Sequence, residues 1–213
     1  MNYFISAIIG YLIGSFPSAY VFLKIGKGID ITKSGSGNVG ALNSFDVTRS
    51  KIIGISVLIV DALKGILAVL FTKNFIQSEF IYPMLALIFA VMSHCYNPWI
   101  KFKGGRGLAT AAGGALIISP FILALWAILW FLFFMLKRDV HFGNIFATLF
   151  SVVILWLTSG IAIKYTFPKA KNELELAITG TAILLIVFSK HINPLIEIIR
   201  KNFSNRSENE KQI

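Results

Sequence analysis

Apolar blocks run through this chain at residues 3–23, 52–72, 80–97, 108–136, 142–163 and 176–189. A bilayer core is crossed by about 20 apolar residues, fewer where it thins, and it holds no water to satisfy peptide N–H and C=O groups. Segments of this kind must bond internally, so they are helices. Hydrophobic residues make up 56% of the 213, and the mean hydropathy is +0.75. Both exceed what a soluble core of this size needs. The fold class is therefore all-α, a polytopic membrane protein. The length fits a single integral-membrane domain over 1–213. The polar segment 202–213 reads as a flexible tail.

The net charge of +10 raises the question of nucleic acid. Its cations fall between apolar blocks and not in one stripe interleaved with aromatics, which argues against that partner. Cys95 is the only cysteine, which excludes an intrachain disulfide and a metal site built on cysteines. No Lys or Arg precedes the first apolar run, which is too long for a secretory signal core, and Lys24 and Lys27 follow it. That order predicts an uncleaved first span with its N-terminus outside.

The block 108–136 carries Ser119-Pro120 near its middle. Proline removes a helix donor, so the block is one long kinked helix or two short ones forming a hairpin. Charge favours the hairpin. With seven spans, the inside loops 24–51, 98–107 and 137–141 and the tail from 190 carry fifteen of the twenty Lys and Arg residues. A single span would put Lys137-Arg138 and every later segment on the opposite side. The positive-inside bias thus predicts seven transmembrane helices, N-out and C-in.

Two glycine-rich loops then lie at the cytoplasmic face. Gly35-Ser36-Gly37-Asn38-Val39-Gly40 has the G-x-G-x-x-G pattern, but no strand precedes it, so the dinucleotide reading lacks its context. A ligand-free connector competes with a phosphate cradle made from Ser36 and the backbone amides. Asn38 and Asn43 either order this loop or bond a substrate hydroxyl. Phe102-Lys103-Gly104-Gly105-Arg106-Gly107 is not a Walker loop. Its glycines, with Lys103 and Arg106, directly precede a helix starting near Leu108, whose N-terminus adds an anion-binding field. The phosphate reading is the stronger there, whereas Lys101 fits an ordinary basic inside loop.

His94, His141 and His191 are predicted at the same face, yet no carboxylate cluster or H-x-x-x-H spacing accompanies them, so no metal is expected. Asp61 and Lys64 stand three apart within a span and can meet on one helix face. Intramembrane charges are paired or functional. The reading here is an internal pair that orients the inside loops.

At these residues the chain resembles the PlsY family of bacterial integral-membrane acyltransferases. The resemblance is carried by Gly14-Ser15-Phe16-Pro17-Ser18, Gly35-Ser36-Gly37-Asn38-Val39-Gly40-Ala41 with Asn43, Asp61-Ala62-Leu63-Lys64-Gly65, His94, and Phe102-Lys103-Gly104-Gly105-Arg106-Gly107-Leu108-Ala109-Thr110. The chain departs from the family at several points. Asp46 stands where the family has an arginine that holds substrate phosphate, so either Arg49 substitutes or the acceptor differs. Arg106 replaces the lysine of the family's GGKG, and the proline after His94 is displaced to Pro98. His141 stands where many members have serine, and Lys190-His191-Ile192-Asn193-Pro194 spaces the last motif differently.

The resemblance implies transfer of a fatty acyl group from acyl phosphate to the sn-1 hydroxyl of glycerol 3-phosphate, giving lysophosphatidic acid for phospholipid synthesis. It implies no cofactor. Ser36, His94, Lys103 and His191 become the catalytic candidates. Gly35, Gly37, Asn38, Gly40, Asn43, Arg49, Gly104, Gly105, Arg106, Gly107 and Asn193 become the substrate-binding ones, with Trp99 and Phe102 beside the acyl chain. Partners are the two substrates and membrane lipids. The location is the bacterial inner membrane, and a monomer is compatible with the sequence. Asp46 motivates the alternative of another phosphorylated acceptor. A transporter of a phosphorylated metabolite fits less well, because most ionisable residues gather at one face and not near the midplane.

Overall fold

The computed structural model describes residues 1–200, so the tail 202–213 lies outside the described residues. All regular structure among the described residues is helical. The first apolar block is not one rod. α1 (Asn2–Gly14) stops before Pro17, and α2 (Ser18–Lys27) restarts after it. Proline has no N–H to continue the ladder, which leaves carbonyls of the preceding turn free. They are met from elsewhere: Asn97 Nδ2 donates to the Ser15 carbonyl at 2.6 Å, and Lys64 Nζ to the Phe16 carbonyl at 2.9 Å.

The connection to the next span contains an additional helix, α3 (Ala41–Thr48), which hydropathy did not predict. α4 (Lys51–Phe75) follows, its first turn capped by the Ser50 hydroxyl, which accepts from the Ile53 N–H at 3.4 Å. Next come α5 (Ile81–Cys95), α6 (Leu108–Ile118), α7 (Pro120–Lys137) and α8 (Val140–Leu157). A short α9 (Ser159–Ala162) leads to α10 (Glu173–Ser189), and a 52° bend separates α10 from a helix over Ile192–Arg200. Among the described residues, four segments are long and apolar enough to cross a membrane, counting α1 and α2 together as Asn2–Lys27, or five if the bent pair is one span. α5 and α6 are shorter.

The 108–136 block divides at Ser119, with Pro120 opening α7, where its missing N–H costs nothing. Arg106, just before α6, lies 3.0 Å from His141 at the start of α8. At the opposite end the Phe167 N–H donates to the Ile118 carbonyl at 2.9 Å. α6 and α7 therefore run to the far end and back.

Small residues let the helices approach closely. A Cβ placed on Gly65 of α4 would overlap the Thr110 carbonyl of α6, and one on Gly113 would overlap the Ala62 carbonyl. Gly10 and Gly14 of α1 meet the Ala86 and Ala90 carbonyls of α5 in the same way. Close backbone approach of this kind is how helices associate where lipid and side chain are equally apolar. α7, by contrast, buries only Ile122 fully; one side including Trp126 and Trp130 is half-buried, and the rest of its apolar surface is exposed.

Candidate active site

The two glycine-rich loops meet at one end of the bundle. The Val39 N–H donates to the Gly104 carbonyl at 3.1 Å. In the first loop, Gly35 and Gly37 take φ of +58° and +71°, a region that favours glycine. Asn43, buried on α3, holds that loop. Its Nδ2 donates to the Asn38 carbonyl at 2.8 Å and the Ser34 carbonyl at 3.1 Å, and its Oδ1 accepts from the Ser36 N–H at 3.0 Å. Of the two roles open to Asn43, loop ordering is the one its contacts satisfy. Gly40 ends the loop as the residue before α3.

In the second loop, Gly104 and Gly105 press against the end of α5. A Cβ on Gly104 would overlap the His94 and Cys95 carbonyls, and one on Gly105 would overlap the His94 ring at Nε2. Gly107, with φ +82°, precedes the first turn of α6. Side chains larger than hydrogen would hold the loop off the helix.

Beneath these loops lies a cavity of about 500 Å³. Its polar lining is Asn38, Asp61, His94, Arg106 and Asn144, with Gly40 and Gly107 at the two helix starts. Leu58, Trp126 and Trp130 form apolar wall. Trp126 is fixed by its Nε1–H donating to Thr148 Oγ1 at 3.0 Å. An apolar slit lined by Leu87, Ala111, Ile118, Gly180 and Leu184 shares Leu108 and Trp126 with the cavity.

Arg106 is the cation of this cavity. Its nearest polar neighbour is His141 Nδ1, and no carboxylate lies within ion-pair distance among the described residues. Burial lowers its pKa, and the field of Glu197 partly opposes the shift. A guanidinium nevertheless stays charged. A partly buried cation without a bound carboxylate, between two helix N-termini, is suited to an anion.

Other sequence candidates fall elsewhere. Ser36 and Lys103 are exposed and outside the cavity lining. Arg49 ends α3 with φ +54°, exposed and also outside the lining, as is Asn193. His191 is buried, its Nδ1–H donating to the Val187 carbonyl at 2.8 Å and its Nε2 without a partner among the described residues. Trp99 and Phe102 are exposed away from the lining, and Trp99 Nε1–H donates to Ser15 Oγ at 3.0 Å.

Asp61 and Lys64 pair at 2.7 Å, and among the described residues neither bonds a glycine-rich loop directly. They reach Ser18 and His94 instead, and Asp61 itself lines the cavity. Asn144 and the two tryptophans were not singled out by sequence. Asn144 makes no side-chain hydrogen bond among the described residues, and a polar residue inside an apolar span was the signal that could have found it.

Comparison with known proteins bears on the family and the fold. The family described as Glycerol-3-phosphate acyltransferase matches residues 4–201. A protein of that name from Ehrlichia canis is 34% identical over 201 residues, covering 94% of this chain and 97% of its own. One from Bacillus subtilis is 34% identical over 194 residues, covering 91% and 92%. Crystal structures of PlsY (YgiH), an integral membrane glycerol 3-phosphate acyltransferase, superpose at 27% identity. The glycerol 3-phosphate form gives a TM-score of 0.76 over 94% of each chain, and the lysophosphatidic acid form 0.75 over 94% and 93%. With nearly its whole length matched in sequence and in fold, the chain belongs to the glycerol-3-phosphate acyltransferase family.

Proposed function

We propose that this protein transfers a fatty acyl group from acyl phosphate to the sn-1 hydroxyl of glycerol 3-phosphate, forming lysophosphatidic acid and inorganic phosphate. The observation that carries the reading is the Val39–Gly104 bond, which joins both glycine-rich loops over one cavity containing Arg106, a cation with no carboxylate at ion-pair distance among the described residues. Acyl phosphate is a mixed anhydride, so its carbonyl is already reactive. The acceptor oxygen bonds to the carbonyl carbon, the bond from that carbon to the phosphate oxygen breaks, and phosphate departs with the electron pair. The hydroxyl proton passes to a phosphate oxygen.

The protein's task is alignment and stabilisation of charge on the leaving group. Arg106 and the first amides of α3 and α6 bind phosphoryl oxygens, with Asn38 beside them. Lys103, at the exposed rim, draws the anion in, Ser36 at the same rim offers a hydroxyl hydrogen bond, and Asn144 contacts the acceptor. The apolar slit beyond Trp126 takes the start of the acyl chain.

In this reading the chain is a single domain of seven spans. The broken pair α1 and α2 is one, and α4, α5, α6, α7, α8 and α10 are the rest. The loop end, rich in Lys and Arg, faces the cytoplasm across the bacterial inner membrane. Labelling of single cysteines placed at Lys101 and Lys171, in a Cys95→Ser background, tests the orientation. Only the second should react with an impermeant reagent applied from outside; the reverse result rejects it.

The activity test is direct. Purified protein is incubated with acyl phosphate and glycerol 3-phosphate, and acylated product and phosphate are both measured. Stoichiometric release of the two supports the reading, and absence of turnover ends it. One observation favours a second acceptor. Asp46, on α3, lies within electrostatic reach of His141 and brings negative charge toward the Arg106 side of the site. Other phosphorylated alcohols belong in the same assay. Faster turnover with one of them would replace glycerol 3-phosphate as the acceptor.

A further inference from the structure

The Asp61, Lys64, Ser18 and His94 cluster is more heavily built than a buried ion pair requires. All four side chains are almost wholly buried. The Lys64 ammonium has three hydrogens and meets three strong acceptors: Asp61 Oδ1 at 2.7 Å, the Phe16 carbonyl at 2.9 Å and His94 Nδ1 at 3.2 Å. The Ser18 hydroxyl donates to the same Asp61 oxygen, which leaves its own oxygen 3.4 Å from Lys64.

An ammonium group only donates. His94 Nδ1, facing it, must therefore be the acceptor, and the ring proton sits on Nε2. That nitrogen points away from the ion pair. It lies against Gly105 in a ring that lines the cavity, and it has no hydrogen-bond partner among the described residues. The ring is also pinned through its own backbone, because the Gly105 N–H donates to the His94 carbonyl at 3.2 Å. One face of the imidazole is thus fixed by a cation and the other is offered to the space beside Arg106.

We propose that Lys64 is a positioning residue that sets His94 as an Nε2–H hydrogen-bond donor, directed at a phosphoryl oxygen of the bound substrate. Asp61 and Ser18 hold the ammonium in place. His94 in this form supplies a hydrogen bond and takes no proton, because its free lone pair is already engaged by Lys64. The assignment rests on the acyl-transfer reading for the identity of the ligand, but not for the tautomer.

Two measurements test it. The first is nitrogen-15 NMR of the full-length protein with labelled histidine rings, the His94 signal being identified by its loss in His94→Gln. The expected spectrum shows a proton on Nε2 and a bare Nδ1, and the fixed form gives way to mixed tautomers in Lys64→Met. A wild-type ring protonated on Nδ1 overturns the proposal. So does an unchanged His94 signal in folded Lys64→Met. Should that variant fail to fold, the wild-type tautomer still decides.

The second measurement is steady-state turnover. His94→Gln keeps an N–H near the position of Nε2 and cannot act as a base. It should retain activity within about tenfold of wild type, while His94→Ala falls by at least about a hundredfold, consistent with loss of a donor to a charged oxygen. Equal loss in both variants overturns the donor role. Absence of wild-type turnover with acyl phosphate and glycerol 3-phosphate would count against the function proposed above, while the NMR result would continue to decide the role of Lys64.

Discussion

The N–H of Val39 donates to the carbonyl of Gly104, so the loop after α2 and the loop after α5 share a backbone hydrogen bond. Each loop alone is a flexible polar connector. Joined, they roof one cavity and place the first turns of α3 and α6 on either side of Arg106. The contact uses main-chain atoms, so it depends on how closely the chains approach and not on which side chain Val39 carries.

Arg106 and Lys103 should separate in their kinetics. Arg106→Ala removes a partly buried donor to phosphate and should lower kcat/KM by roughly two orders of magnitude, equivalent to about 3 kcal/mol. Arg106→Lys should recover part of that loss, since it keeps the charge without the planar fork. Lys103→Ala, at an exposed position, should cost about three- to tenfold, and the loss should shrink as salt is raised. Steady-state rates at two ionic strengths check the contrast. A larger, salt-independent loss at Lys103 would move the phosphate site to the rim.

Asp46 is predicted to weaken binding of a phosphorylated acceptor. Asp46→Asn should lower KM for glycerol 3-phosphate by about two- to fivefold at low salt, and Asp46→Arg by more, with kcat changing little. Arg49→Ala should leave both parameters within about twofold, because that side chain is exposed outside the cavity lining. A KM that rises in Asp46→Asn would identify the carboxylate as a substrate contact.

Asn43 ties the first loop together through three hydrogen bonds. Replacing it with alanine leaves part-buried main-chain groups without their partner, at a cost of about 1 kcal/mol or somewhat more. The midpoint of thermal unfolding should fall and KM for the acceptor should rise together. An unaltered melting curve with a changed KM would instead make Asn43 a direct ligand.

Gly65→Ala addresses the helix contact below the site. Its Cβ would overlap the Thr110 carbonyl, and overpacking of this kind costs about 1–3 kcal/mol. Thermal stability in detergent should drop, while Gly26→Ala, whose Cβ meets nothing within 4 Å, should be neutral. Equal stability of the two variants would contradict the close approach of α4 and α6.

Much of the architecture could be read before any coordinates. The break at Ser119-Pro120 followed from proline chemistry, and the placement of cations anticipated loops gathered at one end. The break between α1 and α2 was written in Pro17 but hidden inside a long apolar run. α3 was missed because eight residues with polar Asn43, Ser44 and Asp46 leave no hydropathy signal. Harder still were Asn144, Trp126 and Trp130. Whether a residue on an apolar helix faces lipid or cavity depends on the helix's rotation, and α7 is hydrophobic all round, so its sequence marks no inner side. Likewise the Asp61–Lys64 spacing revealed a pair but not that His94 completes it, since that contact joins α4 to α5.

The glycine seams between α1 and α5 and between α4 and α6 bear on how such a protein can change over generations. Where backbone rests on backbone, no rotamer or compensating neighbour can absorb an added carbon, so substitution at those few positions costs more than exchange among apolar residues on the exposed surface. A chain under this rule can lose most of its resemblance to a relative and still place its loops alike. Sequence identity of 27% beside a TM-score of 0.76 is the outcome it leads one to expect.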